Sequence, residues 1–189
     1  PIKDYFAIAA SLLEYKKELS ALLLSLDPED IQRVKLVLED RVLSDDFRAA
    51  VLSQSRGLLE DYQIRFHNGR IHIRAEVLAR QLGPLTLEYD INIQEFRFDP
   101  SGHKIFADFR ETAVSNGNMA QKVAVKAALL NGPLLKTAAQ FLKKPFLHVD
   151  GNHLLADLDK LPLPANLPET LEVRYLSTID GKLTFSLRL

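Results

Sequence analysis

Two stretches of strictly alternating residues constrain the fold of this chain more than any other feature. In residues 70–77 and 85–93 every second side chain is apolar, and the side chains between them are polar or charged. Successive side chains of a strand point to opposite faces, so this pattern predicts strands with one buried face, hence an antiparallel sheet. With their flanking residues we expect strands over 70–82 and 85–98. These exceed the usual ~5–6 residues and must coil around what they cover.

Turn residues extend this pattern into a meander. An alternating segment at 64–66 leads into His67, Asn68 and Gly69, residue types that adopt the positive φ values of a tight hairpin. The apolar residues occupy odd positions up to Ile93 and even positions from Phe96, so the alternation shifts by one residue across Gln94–Glu95. This shift predicts a β-bulge there.

Residues 1–62 show helical spacing instead. Asp27 followed by Pro28 is typical of a helix N-terminus, a second helix is predicted through 31–38, and a third after Ser44. We therefore expect a helical N-terminal segment over 1–62, packed on a sheet-and-helix domain over 63–189 in a single folding unit.

Helical spacing returns in residues 118–144. Asn131, Gly132 and Pro133 should kink or split this helix, because proline removes a backbone donor and crowds the preceding turn. Uninterrupted, it would measure roughly 40 Å, like the long strands. The apolar positions spaced by three or four are Met119, Val123, Ala127, Leu130, Leu134, Ala138 and Phe141.

The C-terminal part predicts short strands around 146–149 and 154–158, then a proline-rich connector over 161–168. The chain closes with a hairpin around Asp180 and Gly181. The predicted fold class is α+β: a long curved antiparallel meander wrapped on a long helix, with an N-terminal helical segment.

The composition excludes several classes of protein. The chain is 47% apolar and 26% charged, which is typical of a folded protein rather than a disordered one. It has no cysteine, so thiolate metal sites and cysteine nucleophiles are excluded. The formal net charge of -1 argues against a nucleic-acid partner held mainly by charge.

The N-terminus leaves the compartment open. Its longest apolar run, 5–13, is shorter than the ~20 residues of a membrane-spanning helix. If Pro1 is the native start, the chain is expected to be cytoplasmic or peripheral to a membrane; if a signal or anchor was removed, it belongs to the cell envelope.

One cluster contains metal-ligand residue types: His148, Asp150, His153 and Asp157. Its spacing is not that of two histidines on one helical turn, and Asp150 with the following Gly151 is typical of a turn, so we expect no metal. Motifs for a nucleophile elbow, a P-loop or a dinucleotide fold are lacking, and we expect neither an enzyme nor a cofactor.

Basic residues occupy the outer face of the first predicted hairpin, where an RNA-binding sheet would also carry aromatic side chains. The nearest aromatic, Phe66, points to the other face, so we expect no nucleic-acid partner. These basic residues are Arg65, His67, Arg70, His72 and Arg74.

Between Ala113 and Leu147 the chain has five lysines and no acidic residue. On a continuous helix at ~100° per residue the five would lie on one side, opposite Val123 and Leu134. Such a stripe can dock on anionic lipid, or it can be an ordinary solvated face. The lysines are Lys122, Lys126, Lys136, Lys143 and Lys144.

Four segments and the predicted long helix carry a family resemblance: IRFHNGRIHIRAEV, FRFDPSGHKIFADF, FLHVDGNHLLADLDKLP and LEVRYLSTIDGKLTFSLRL. Through these features, residues 64–189 resemble small bacterial proteins of the tubular lipid-binding (TULIP) superfamily, including LmeA-like envelope proteins. The resemblance implies a curved sheet wrapped on a long helix, with an apolar groove that holds acyl chains and no catalysis.

We therefore expect non-enzymatic binding of lipid or another elongated apolar ligand, at an anionic membrane surface if the lysine stripe acts as described. The alternative is a protein-interaction or oligomerisation scaffold, such as a homodimer, formed through the apolar face of residues 1–26. The groove candidates, chosen by parity, are Phe96, Phe98, Phe109, Leu130, Leu134 and Phe141.

Overall fold

The computed structural model describes residues 35–141, 145–161 and 168–188. They form one antiparallel sheet of nine strands with a few helices, which confirms the α+β class. The strands are β1 (Lys35–Glu39), β2 (Leu59–His67), β3 (Arg70–Ala79), β4 (Gly83–Asp99), β5 (Gly102–Ser115), β6 (Leu147–Asp150), β7 (His153–Asp157), β8 (Glu172–Ile179) and β9 (Lys182–Arg188). The helices are α1 (Arg48–Gln54), α2 (Met119–Leu129) and α3 (Leu134–Phe141), with a π-helical turn at Val42–Asp46 and a 3₁₀ turn at Leu158–Lys160.

Strand β4 is the centre of the sheet. Its 17 residues pair with β5 along one edge; along the other, β3 covers the first half and β8 meets it at Phe98. The path across the sheet is β1-β9-β8-β4-β5-β7-β6, and the β2–β3 hairpin joins through β3. The prediction of unusually long strands is confirmed, since β5 also has 14 residues.

The predicted turns and bulge are also present. Asn68 and Gly69 have φ values of 49° and 74°, and Asp180 and Gly181 have 51° and 77°, as two-residue hairpins require. The β4–β5 register shifts between Ile93 and Glu95, which confirms the bulge at 94–95.

The prediction of helix throughout 1–62 is wrong at two places. Residues 35–39 form β1, which pairs with β9 and sets Leu36 opposite Phe185, and β2 already begins at Leu59. Three consecutive apolar residues, 36–38, fit a strand as well as a helix, and the pairing with β9 decides between them. Residues 1–34, with the first predicted helix and the start of the second, lie outside the described residues.

Residues 40–48 protect the outer edge of β2. The Ser44 hydroxyl, buried, accepts a hydrogen bond from the Ile64 amide at 2.8 Å and donates one to the Ile64 carbonyl at 2.8 Å. The Asp40 carboxylate accepts from the Phe66 amide at 3.1 Å. Side chains therefore replace a neighbouring strand along this edge.

The expected long helix is not supported. Helix α2 ends at Leu129 and α3 begins at Leu134. Between them Gly132 adopts a φ of 106°, and Pro133 cannot donate a helical hydrogen bond. The helix is thus split at the place where the sequence predicted either a kink or a split. Residues 142–144 lie outside the described part.

The main core lies between one face of the sheet and the helices α2 and α3. Its buried residues are Tyr62, Ala75, Val77, Leu85, Leu87, Tyr89, Phe109, Val125 and Leu134. A separate aromatic cluster joins the far half of β4 to the last hairpin: the Phe96 ring centroid lies 5.3 Å from that of Phe185 and 6.4 Å from that of Tyr175.

Candidate functional site

Helix α2 starts at a capping box. The Asn118 side chain accepts a hydrogen bond from the Gln121 amide at 2.9 Å, and the Gln121 side chain accepts one from the Asn118 amide at 2.9 Å. These bonds satisfy amides that a helix N-terminus leaves unpaired. Val125, only 3% exposed, then anchors α2 in the main core.

The Glu111 carboxylate on β5 fixes the start of α3. It accepts hydrogen bonds from the amides of Leu134 at 2.8 Å and Leu135 at 2.9 Å, and from the Tyr89 hydroxyl at 2.8 Å. A negative charge at a helix N-terminus also interacts favourably with the helix dipole. One side chain thus joins α3 to β4 and β5.

The Tyr89 hydroxyl is held in its neutral form. Burial raises the pKa of Tyr89 far above its usual value, and the adjacent Glu111 charge and hydrogen bond raise it further. The folded protein therefore keeps the Tyr89 proton at pH values where an unfolded chain has lost it.

This pKa shift predicts a loss of stability in alkali. Below the unfolded pKa of about 10 the contribution of Tyr89 is complete, and it is lost as the pH rises toward the higher folded pKa. Between about pH 9 and about pH 11 the unfolding free energy should fall by about 1.4 kcal/mol more in the parent than in Tyr89→Phe. Urea unfolding at both pH values measures this; parallel losses would contradict it.

An apolar stripe of α2 faces solvent. Met119 is 75% exposed, Val123 63% and Leu130 87%. At ~100° per residue the three lie within ~40° of one another around the helix axis. The sequence pattern placed this stripe against the sheet; the structure corrects that prediction, because Val125 is the residue that packs into the core.

Lysines border the exposed stripe. Lys122 and Lys126 are exposed and lie within ~60° of Met119 on one side of it, and Lys136 on α3 is half-buried. Within the described residues no ion pair includes any of the three. Lys143 and Lys144 lie outside the described part, and the split helix removes the angular argument for one five-lysine stripe.

The six groove candidates are not brought together. Phe109 and Leu134 belong to the main core, whereas Leu130 and Phe141 are exposed. Phe96 lies in the aromatic cluster. Phe98 lies on the same half of β4, and its ring centroid is 4.3 Å from that of His103.

Two open clefts are bordered by some of the six groove candidates. One of about 440 Å³ is bordered by Phe109, Leu129 and Asn152, and one of about 230 Å³ by Phe96 and Phe98. Neither cleft joins the two groups of candidates. A ligand role for the six residues stays a prediction.

The histidine and aspartate cluster around the β6–β7 turn is dispersed. The His153 imidazole contacts the Asp108 carboxylate at 2.6 Å, and the His148 ring lies 3.4 Å from the Lys160 amine. Asp157 accepts a hydrogen bond from the Asp159 amide. In the described ranges no three histidine, aspartate or glutamate side chains are placed to hold a metal ion.

Two of the five basic residues on the outer face of the first hairpin contact acidic side chains. His72 contacts Asp90 at 2.9 Å, and Arg74 lies 3.3 Å from Glu76 and 3.6 Å from Glu88. Asp90 and Glu88 lie on β4, distant in sequence from His72 and Arg74, so the alternation within β3 alone did not show these contacts.

No family model matches the chain, and comparisons with curated proteins and with solved structures find no match. None of the helices in the described residues has the length and apolar content needed to cross a bilayer.

Proposed function

We propose that the α2–α3 pair docks the protein on an anionic membrane surface, and that the protein binds lipid without catalysis. The observation that carries this proposal is the exposed stripe of Met119, Val123 and Leu130 with Lys122 and Lys126 directly beside it. A helix that lies in a membrane interface has this arrangement of apolar and basic side chains.

Charge complementarity favours a lipid surface over an apolar protein surface. The region from Ala113 to Leu147 has no acidic residue, so nothing within it offsets the lysines. Each lysine near an anionic bilayer contributes ~1 kcal/mol, and each large apolar side chain that leaves water contributes ~1.5–3 kcal/mol. Together these contributions support reversible peripheral binding.

The two helices are held rigidly for such a contact. The capping box at Asn118 fixes the start of α2, Val125 anchors its buried side, and Glu111 fixes the start of α3. The apolar stripe is therefore presented by a preorganised surface, which lowers the entropic cost of binding.

A tryptophan reporter tests this proposal, because the chain has no tryptophan. With vesicles rich in anionic lipid, Val123→Trp should show a blue-shifted emission and quenching by brominated acyl chains. The matched control is Leu36→Trp on β1, at the far end of the sheet path, which should show neither change. Equal responses at both positions, or no response at position 123, would refute membrane docking by α2.

The interior groove implied by the TULIP resemblance stays a prediction, as does the resemblance itself. The core between the sheet and the helices is filled by residues such as Phe109, Val125 and Leu134. The scaffold alternative depends on residues 1–26, which lie outside the described residues.

A further inference from the structure

The strands of the described residues cover only half of the outer edge of β5. β7 pairs with it from Lys104 to Asp108, and the last hydrogen bond along this edge runs from the Phe109 amide to the Asn152 carbonyl at 2.9 Å. Beyond that point, residues 110–115 have no strand neighbour on this side among the described residues.

The edge of residues 110–115, uncovered by any described strand, presents a regular set of backbone groups. In an antiparallel strand the amides and carbonyls of alternate residues point to the same edge. The Phe109 amide points outward, and the β4–β5 register is uninterrupted from Ala107 to Ser115. The backbone groups of Glu111, Ala113 and Ser115 therefore also point away from β4.

In the part of the chain that the structure describes, no side chain occupies the hydrogen-bonding groups of this edge as Ser44 and Asp40 do on β2. Residues 110–115 include no proline, no lysine and no register shift; their charged residues are Arg110 and Glu111, and the Glu111 carboxylate is bonded to the amides of Leu134 and Leu135. Thr112 and Val114 are exposed on the outer face, and Val114 is 52% exposed.

We propose that a second copy of this chain pairs antiparallel with this edge, with the two-fold axis at Ala113. Glu111 then lies opposite Ser115 of the second copy, and Thr112 lies opposite its Val114. Arg110 never faces another Arg110, so no like charges oppose each other. The segment therefore matches itself in its backbone groups, and no like charges meet across the two-fold axis.

The ends of the segment fit this pairing. The Asn116 amide donates to the Pro84 carbonyl at 2.9 Å and so extends the β4–β5 ladder by one residue, and the chain then reaches the N-cap of α2 at Asn118. In this pairing Asn116 of the second copy lies opposite Arg110, which borders the cleft of about 440 Å³, one position before Phe109, whose amide is already bonded to Asn152. The pairing preserves the faces of the sheet, so both α2–α3 pairs project to the same side.

Two variants of the full chain that differ at one position test the proposal. In Thr112→Lys with Val114→Lys, lysines oppose each other across the two-fold axis. In Thr112→Lys with Val114→Glu, each lysine opposes a glutamate. Within one chain position 112 lies opposite Glu88, so the new lysine is compatible with the fold in both variants.

Sedimentation equilibrium from about 5 μM to about 0.5 mM measures the association. A six-residue edge is smaller than a standard interface, so the parent mass should rise with concentration toward twice 21.3 kDa. The lysine–lysine variant should associate about tenfold more weakly or not at all, and the lysine–glutamate variant about as well as the parent.

Other outcomes overturn the proposal. A parent that is monomeric at the highest concentration shows that the edge does not pair. Equal association of the parent and both variants shows that the dimer uses another surface, such as residues 1–26. No membrane enters this measurement, so its result is independent of the vesicle experiments.

Discussion

Replacing Glu111 with alanine should lower the free energy of unfolding by about 3 kcal/mol. The change removes three hydrogen bonds to a carboxylate, each worth ~1.5–3 kcal/mol alone and less than additive together. It leaves the buried Tyr89 hydroxyl and the amides of Leu134 and Leu135 without their acceptor. Urea unfolding followed by circular dichroism measures the loss.

Two control variants separate this contribution from a general effect of losing a carboxylate. Glu111→Gln keeps one acceptor oxygen, so it should lose about half as much stability. Glu95→Ala removes an exposed carboxylate that pairs with Arg97 at 3.0 Å, and it should change the unfolding free energy by less than about 0.5 kcal/mol. A loss below about 1 kcal/mol for Glu111→Ala would show that α3 is positioned by packing alone.

The sheet was predictable because its determinants are local. The hairpin at Asn68–Gly69 needs two residues with positive φ, and both types stand together in the sequence. The shift in alternation between Ile93 and Phe96 also predicted the bulge locally, because the alternation of apolar and polar residues indicates which face of the sheet each side chain occupies.

Strand β1 could not be predicted in this way. Lys35–Glu39 has three apolar residues in a row, which fit a helix face or a strand. Its structure depends on pairing with β9, about 150 residues away along the chain. Local spacing contains no information about that partner, so tertiary pairing overrode the helical pattern.

The phase of α2 escaped prediction for a different reason. Its sequence has alanine or another apolar residue on every side, so helical spacing allows either Val123 or Val125 to face the sheet. The break at Gly132 also separates the phase of α2 from that of Leu134 in α3. In the structure Lys122 and Lys126 are exposed, and the apolar side chains of Met119 and Val123 beside them are exposed as well.

The role of Glu111 depends on contacts distant in sequence. Its partners Leu134 and Tyr89 lie 23 and 22 residues away. A single glutamate in an alternating strand has no pattern that marks it as a helix cap. Only the placement of α3 over β4 and β5 gives this side chain its importance.

Changing Lys122, Lys126 and Lys136 together to glutamine should weaken binding to anionic vesicles by up to about two orders of magnitude. Each lysine contributes ~1 kcal/mol of attraction near an acidic surface, so the three together contribute roughly 3 kcal/mol at most. Vesicle sedimentation at low and high salt measures the effect. The parent should lose affinity steeply with salt, because exposed charges are screened over ~10 Å at 0.1 M.

A matched triple change separates the position of the lysines from net charge. Lys35, Lys104 and Lys182 are exposed on β1, β5 and β9, and their replacement by glutamine removes the same three charges. This control should bind vesicles nearly as well as the parent, since its lysines lie away from the apolar stripe of α2. Both triple variants should keep the parent's unfolding free energy within about 1 kcal/mol, because exposed or half-buried lysines contribute little to stability. Equal weakening by both triples would mean that net charge, rather than the α2–α3 surface, drives the attraction, and binding unaffected by either would leave the exposed lysines as an ordinary solvated face.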